Sequence, residues 1–168
     1  MDTQQIAEAQ AAKPVLEGGT VQFLTFTIDQ AEYGVDIMAV REVKGWTETT
    51  RLPNRPEYIR GVLNLRGVII PIFDLRARFG EGITKATEKH VVVILAVGPR
   101  IAGVLVDAVS DILTVKHDEV KPPPQDSSSG HDQFINGLIP VEERMVVLLD
   151  MEKLLNSDIE ALSETTKH

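Results

Sequence analysis

Four histidines, 25 carboxylate side chains and no cysteine set the limits of the chemistry this 168-residue chain can perform. His90, His117, His131 and His168 stand in unrelated contexts, and none is spaced as His-x-His, His-x-x-x-His or His-Glu-x-x-His. No metal-ligand set can be read from that pattern. The lack of cysteine removes disulfide scaffolds, thiol nucleophiles and thiolate metal sites, and it fits a reducing compartment. Ser127 to His131 offers the residue types of a small hydrolase. No Gly-x-Ser-x-Gly elbow accompanies them, and a polar Ser/His run is more often solvated than catalytic. Gly80-Glu81-Gly82 lacks the third glycine and the helix that a phosphate-binding loop needs. Asp36, Glu42, Asp107 and Asp111 could pair as acid and base, but acids recurring between the two halves of the chain favour a folding role. The residues assign no catalytic group, no metal and no cofactor.

The remaining chemistry is recognition. Arg66 sits in Leu63-Asn64-Leu65-Arg66-Gly67, directly before the β-branched run Val68-Ile69-Ile70-Pro71-Ile72-Phe73. That run predicts a strand covered on both faces. Gly67, free to adopt φ > 0, makes the preceding residues a turn and places Arg66 at the rim of the sheet. A guanidinium beside apolar Leu65 is the kind of anchor enriched at the centres of protein interfaces. Val40 could supply an apolar partner, although from pattern alone core packing explains it better.

The elements that must hold these residues follow from Gly, Pro and the apolar pattern. Residues 1–19 read as a tail. Val21 to Ile28 and Tyr33 to Ile37 read as a hairpin, Ile37 to Val43 as a short helix, and Glu57 to Arg60 as one helical turn. Val91 to Val97 and Ile101 to Val106 are strands around the Gly98-Pro99-Arg100 turn. Lys121 to Gly130 is a Pro/Ser loop and Arg144 to Leu149 a last strand. Asp150 caps a helix with Lys153 toward its C-terminal end, and the chain is expected to be loose from Ser163.

The chain repeats itself. Gly34 to Val43 aligns without gaps on Gly103 to Ile112, Tyr58 to Val62 on Phe134 to Leu138, and Pro71 to Leu75 on Val147 to Met151. Thirteen residues separate Gly61 from Asp74, as they do Gly137 from Asp150. Two similar all-β units follow, with a seam between them suited to binding. The expected divisions are a tail at 1–19, barrel units at 20–80 and 90–155 with end strands open to exchange, and a helix end and tail at 156–168. Where the first copy has Leu63 to Gly67, the second has Ile139-Pro140-Val141-Glu142-Glu143. A turn serving geometry alone need not exchange an arginine for two carboxylates, so Arg66 is a candidate for work beyond folding.

A net charge of −8 and few aromatic residues argue against a nucleic-acid surface. No segment has the uninterrupted apolar length of a membrane span, and no signal-like N-terminus is seen, so the expected location is the cytoplasm.

The segments EYGVDIMAVREV, RLPNRPEYIRGVLNLRGVIIPIFDLRARF, GVLVDAVSDIL followed by VKPPP, and INGL followed by RMVVLLDMEKLL resemble the CheW family of chemotaxis coupling proteins. The resemblance implies two intertwined five-stranded SH3-like barrels with an apolar junction and short helices. It also implies a non-catalytic scaffold, recruited to membrane-associated arrays, that links the cytoplasmic tips of chemoreceptors to the regulatory domain of the histidine kinase CheA. Carried over by position, Val40, Arg66 and Val91 would line the groove for the receptor's helical hairpin, with Asn64 and Leu65 shaping the loop. Glu42 and Val43 would meet the kinase. The loop starting at Lys121 would offer it a further contact, with polar Gln125-Asp126 where a bulky apolar residue is expected.

Overall fold

The computed structural model describes residues 19–123 and 134–166, so residues 1–18, Gln125-Asp126, the Ser127 to His131 segment and His168 lie outside the described residues. Among the described residues ten strands and two α-helices follow one another as β1 (Thr20–Ile28), β2 (Ala31–Asp36), β3 (Val40–Gly45), β4 (Ile59–Leu65), β5 (Val68–Asp74), α1 (Leu75–Arg78), β6 (Val91–Val97), β7 (Arg100–Val106), β8 (Ala108–Lys116), β9 (Ile135–Val141), β10 (Arg144–Leu149) and α2 (Met151–Thr166). They form two five-stranded sheets, ordered β8-β1-β2-β10-β9 and β3-β6-β7-β5-β4. These are called here the β1 barrel and the β6 barrel.

The internal repeat explains both orders. β1 to β5 correspond to β6 to β10, and each copy gives its first hairpin to the other copy's barrel. The β1–β2 hairpin joins β8, β9 and β10, while β6–β7 joins β3, β4 and β5. Each barrel therefore draws strands from both the 20–80 and the 90–155 segment. The joints are matching parallel pairs, Gly34 opposite Leu148 and Gly103 opposite Ile72. Parallel neighbours need long connections, which exchange between distant segments supplies. Each sheet curls closed through one further bridge. Thr50 exchanges two backbone hydrogen bonds with Val62, at 2.9 and 3.0 Å, and Lys121 does the same with Leu138, at 2.8 and 2.9 Å.

Strand alternation sorts the apolar residues into three cores. Val92 and Ile94 of β6 face inward with Ile70, Ile72 and Leu105, and Val21, Val115, Ile139, Val146 and Leu148 fill the β1 barrel. The opposite face of β6, Val93, Leu95 and Val97, enters a third and larger cluster between the barrels. Leu24, Phe26 and Ile28 of β1 meet it from the other side, and Leu154, Leu155 and Ile159 of α2 cover it. A polar lock holds the exchanged hairpin at its turn. Arg76 of α1 pairs with Asp29 and donates to both oxygens of Asp107 at 2.9 Å, while the Asp29 amide donates to Asp107 at 2.7 Å.

The paired acids cap as expected: Asp74 accepts from the Ala77 amide at 3.3 Å and Asp150 from the Lys153 amide at 3.1 Å. Five expectations are corrected. Val68 and Ile69 are 53% and 60% exposed, because the β4–β5 hairpin projects past the sheet, so only the later part of that strand is covered. Ile37–Ala39 makes a single 3-10 turn capped by Asp36, and Val40 already begins a strand, because Val40–Gly45 is drawn into pairing with β6. Glu57 to Arg60 is no helical turn: the Ile59 amide bonds Pro56 and the strand starts at once, its Ile59 opposite Phe73. Lys153 lies in the first turn of α2. That helix continues past Ser163 to Thr166, with Ile159 and Leu162 buried along the way.

Gly61 shows how tightly barrel closure is built. Its φ of +135° favours glycine, and a Cβ there would stand 2.2 Å from the Thr50 carbonyl oxygen that accepts the closing bond. At Gly137 the Cβ would meet the Val120 Cγ1 at 2.9 Å and the Lys121 oxygen at 3.2 Å, with no positive φ. Gly61→Ala is expected to lower the unfolding free energy by about 2 kcal/mol or more, and Gly137→Ala by less. Urea denaturation measures both, and equal or reversed losses would contradict this account of closure.

Candidate functional site

The β4–β5 turn is a two-residue hairpin in which Leu65 pairs with Val68 and both central residues, Arg66 and Gly67, have positive φ (51° and 89°). This geometry matches the right-handed twist of the flanking strands. An arginine with positive φ is uncommon and is tolerated because Gly67 takes the second position. Within the loop, Asn64 Oδ1 accepts from the Gly67 amide at 2.8 Å. The matching turn of the β1 barrel keeps a positive φ at Glu142. The two turns share positive φ at their first central residue, differ at the second, where Glu143 replaces Gly67, and present opposite charges.

Arg66 reaches across the mouth of the β6 barrel to β3, where its Nη2 donates to Glu42 Oε1 at 2.7 Å. The arginine side chain is 73% exposed and that of Glu42 32%, so the pair contributes little to folding and serves to orient two charges. The hydrogen bond from Arg66 holds the Glu42 carboxyl below its ordinary range.

A register shift between Val40 and Glu42 directs the side chains of β3. Residues directly opposite in an antiparallel pair share a face. Glu42 lies opposite Ile94, which belongs to the barrel interior, whereas Val40 and Val43 lie opposite Leu95 and Val93, which belong to the junction core. Val91, at the start of β6, also packs on the junction. Val40, Val43 and Val91 thus form an apolar flank along one face of β3 and β6. Val40 and Val91 stand at its two ends, about 13 Å apart by strand rise.

The structure therefore regroups the sequence candidates. Asn64, Leu65, Arg66 and Glu42 gather at the barrel mouth, and Val40, Val43 and Val91 run along the flank. Lys121 stands apart on the β1 barrel, in the bridge to Leu138. Sequence reasoning missed Val68 and Ile101, exposed apolar residues of β5 and β7 at the same mouth. In the β1 barrel their counterparts are Arg144 and Glu32, which form an ion pair at 2.7 Å. The repeat held that signal, since Val68 aligns with Arg144 and Ile101 with Glu32. Among the described residues no three metal-ligating side chains converge, and no helix is long and apolar enough to cross a membrane.

Two interlocked SH3-like barrels with an apolar flank and a mouth topped by an exposed arginine define a protein-docking module. The CheW-like domain model matches residues 22–158. The chain is 43% identical over 149 residues to the chemotaxis protein CheW of Klebsiella aerogenes, covering 88% of this chain and 90% of that protein. It is 40% identical over 148 residues to CheW of Rhizobium meliloti, covering 88% and 95%. The crystal structure of the scaffolding protein TtCheW from Thermoanaerobacter tengcongensis superposes with a TM-score of 0.73 at 30% identity, over 80% of this chain and 87% of that one. The chain belongs to the CheW family of chemotaxis scaffold proteins.

Because the native Glu42 carboxyl is lowered, the stabilisation from its pairing is complete above the ordinary glutamate value and is lost as pH falls through the native one. Arg66→Ala is expected to move the Glu42 titration up toward that ordinary value. A carboxyl-carbon NMR titration reads it, and an unmoved midpoint would contradict the pairing.

Proposed function

We propose that this protein is a non-catalytic adaptor that couples the cytoplasmic tips of chemoreceptors to the histidine kinase CheA, acting in the cytoplasm at membrane-associated receptor arrays and using no cofactor. One observation carries the proposal: the two barrels share a strand plan, yet the mouth of the β6 barrel sets exposed Val68 and Ile101 beside the exposed guanidinium of Arg66, which is paired with Glu42. In the β1 barrel the corresponding positions hold an ion pair and two acids.

The receptor's helical hairpin lies along the flank, with apolar side chains on Val40 and Val91 and Arg66, Asn64 and Leu65 closing one end. Such helix-in-groove recognition takes its affinity from apolar anchors and its register from a fixed charge. The kinase regulatory domain meets Glu42 and Val43, and Lys121 gives it a separate contact on the other barrel. Glu42, on the kinase side, is hydrogen-bonded to Arg66 on the receptor side, so a receptor carboxylate that draws Arg66 away frees Glu42 for the kinase.

Arg66→Glu places two carboxylates where an ion pair stood and removes no core area. Affinity for a receptor-tip fragment is expected to fall by about tenfold or more, while the urea midpoint stays within error of the native chain. Calorimetric titration against the fragment measures the first quantity, and unchanged affinity would refute the role given to Arg66.

A further inference from the structure

The two helices hold corresponding places in the repeat and end differently. Asp74 opens α1 as Asp150 opens α2, so Phe79 corresponds to Leu155 and Gly80 to Asn156. At Gly80, whose φ is +82°, the first helix stops: the Gly80 amide bonds the Ala77 carbonyl at 2.9 Å and the Glu81 amide that of Arg76 at 3.0 Å. This paired closure ends a helix at a left-handed glycine. Position 156 holds no glycine, and α2 runs on to Thr166, burying Ile159 and Leu162 in the junction core.

The long helix covers the junction on its side, and the short one leaves a cavity of about 400 Å³ beside it, with Tyr33, Phe79, Phe134 and Glu81 among its lining residues. Phe134 corresponds to Tyr58, whose hydroxyl donates to Asp158 of α2 at 2.8 Å. The ring centres of Tyr33 and Phe79 are 5.4 Å apart, with the planes at 30°. The polar side chains of the lining are the Tyr33 hydroxyl and the Glu81 carboxylate. Burial pushes the Tyr33 hydroxyl above its ordinary range, and the charges of Glu81 and Asp29 push it further. Asp29 is committed to Arg76, whereas among the described residues no cation pairs with Glu81. A carboxylate and aromatic faces thus give the cavity negative potential, with no cation in its lining. The same cluster shows what such rings accept. Arg78, outside the lining, sets its guanidinium 4.9 Å from the Phe134 ring centre and 5.3 Å from that of Tyr58, its own charge met by Asp158 at 4.0 Å.

We propose that this cavity binds a small organic cation of the quaternary-ammonium class, its methyl groups against Tyr33, Phe79 and Phe134 and its charge facing Glu81. The lining selects that class. A primary ammonium or a guanidinium brings several N–H donors, which two polar side chains cannot satisfy once water is left behind. A quaternary nitrogen has no donor to leave unpaired, and aromatic walls are the surface that recognises it. Val40, Arg66 and Val91 take no part in the lining, so occupancy is separable from receptor docking.

The test titrates choline into the full-length, methyl-labelled protein, alongside the uncharged analogue in which carbon replaces the ammonium nitrogen. Saturable shifts are expected at Ile135, Val147 and Leu149 of the cavity, and none at Ile72 and Val92 inside the β6 barrel, which report an intact fold. Choline is expected to bind about tenfold tighter than the analogue. Glu81→Gln, at an exposed position, is expected to weaken choline about threefold or more and leave the analogue as it was. Phe79→Leu, which introduces the aliphatic residue of the other copy, is expected to narrow the advantage of choline over the analogue. Shifts that never saturate, equal affinity for the two probes, choline binding unchanged in Glu81→Gln, or an advantage that survives Phe79→Leu in full would each overturn the proposal. So would a cavity that responds only when a partner protein is added.

Discussion

The interaction on which the structure depends is the packing between the two barrels, and that packing exists because the copies exchange their first hairpins. Strand β6 shows why. Its Val92 and Ile94 belong inside one barrel and its Val93, Leu95 and Val97 belong to the junction, so the strand is apolar on both faces and can be satisfied only where two layers meet. Strand β1 plays the same part in the other barrel with Leu24, Phe26 and Ile28. Each copy carries five strands, as many as a barrel contains, yet two of the five are lent to the other barrel, so neither barrel is built from one copy. The exchange makes one cooperative unit from two small ones that would each bury little. The Arg76, Asp29 and Asp107 contacts add a polar latch at the turn of one exchanged hairpin, where a water-facing junction most needs direction.

On this duplicated frame, function arises from broken symmetry. The copies share Gly34 and Gly103 at the parallel joints, Gly61 and Gly137 at the closing bridges, and Asp74 and Asp150 as caps. Gly34 and Gly103 leave room for barrel-interior side chains, Gly61 and Gly137 for the closing bridges, and the two acids cap helices. The copies part where side chains leave the frame. Val68 and Ile101 correspond to Arg144 and Glu32, Arg66 to Glu142, and Trp46 to Val115. Every such change alters what a barrel end offers to solvent while leaving the strand order intact. A duplicated fold can change a binding surface in this way at small cost in stability, since rim and mouth positions bury little.

Much of this was legible in the sequence because the repeat is written in glycines, β-branched residues and capping acids, which are local in cause. The strands around Gly98 and the cap at Asp150 needed no tertiary information. The residues left the hairpin exchange open and only the resemblance implied intertwined barrels, because Gly34 opposite Leu148 and Gly103 opposite Ile72 are long-range parallel pairings with no local signature. The strand beginning at Val40 was hidden for a related reason: the apolar residues 37, 40 and 43 mimic a helix face, and pairing with β6 overrides that pattern. Exposure at Val68 and Ile69 was invisible because a β-branched run looks alike whether it is buried or projecting. At the candidate site the turn and Arg66 were legible from type and spacing, whereas the Arg66–Glu42 contact required the closed barrel.

The central claim is that neither repeat folds without the hairpin of the other. It is tested most directly by preparing residues 19–82 and 83–166 as separate polypeptides, isotopically labelling one, and recording its amide spectrum alone and after mixing. Each half alone is predicted to give the narrow dispersion of an unfolded chain, and an equimolar mixture the spread spectrum of the intact protein. A spread spectrum from either half alone, with sedimentation showing a monomer, would contradict it.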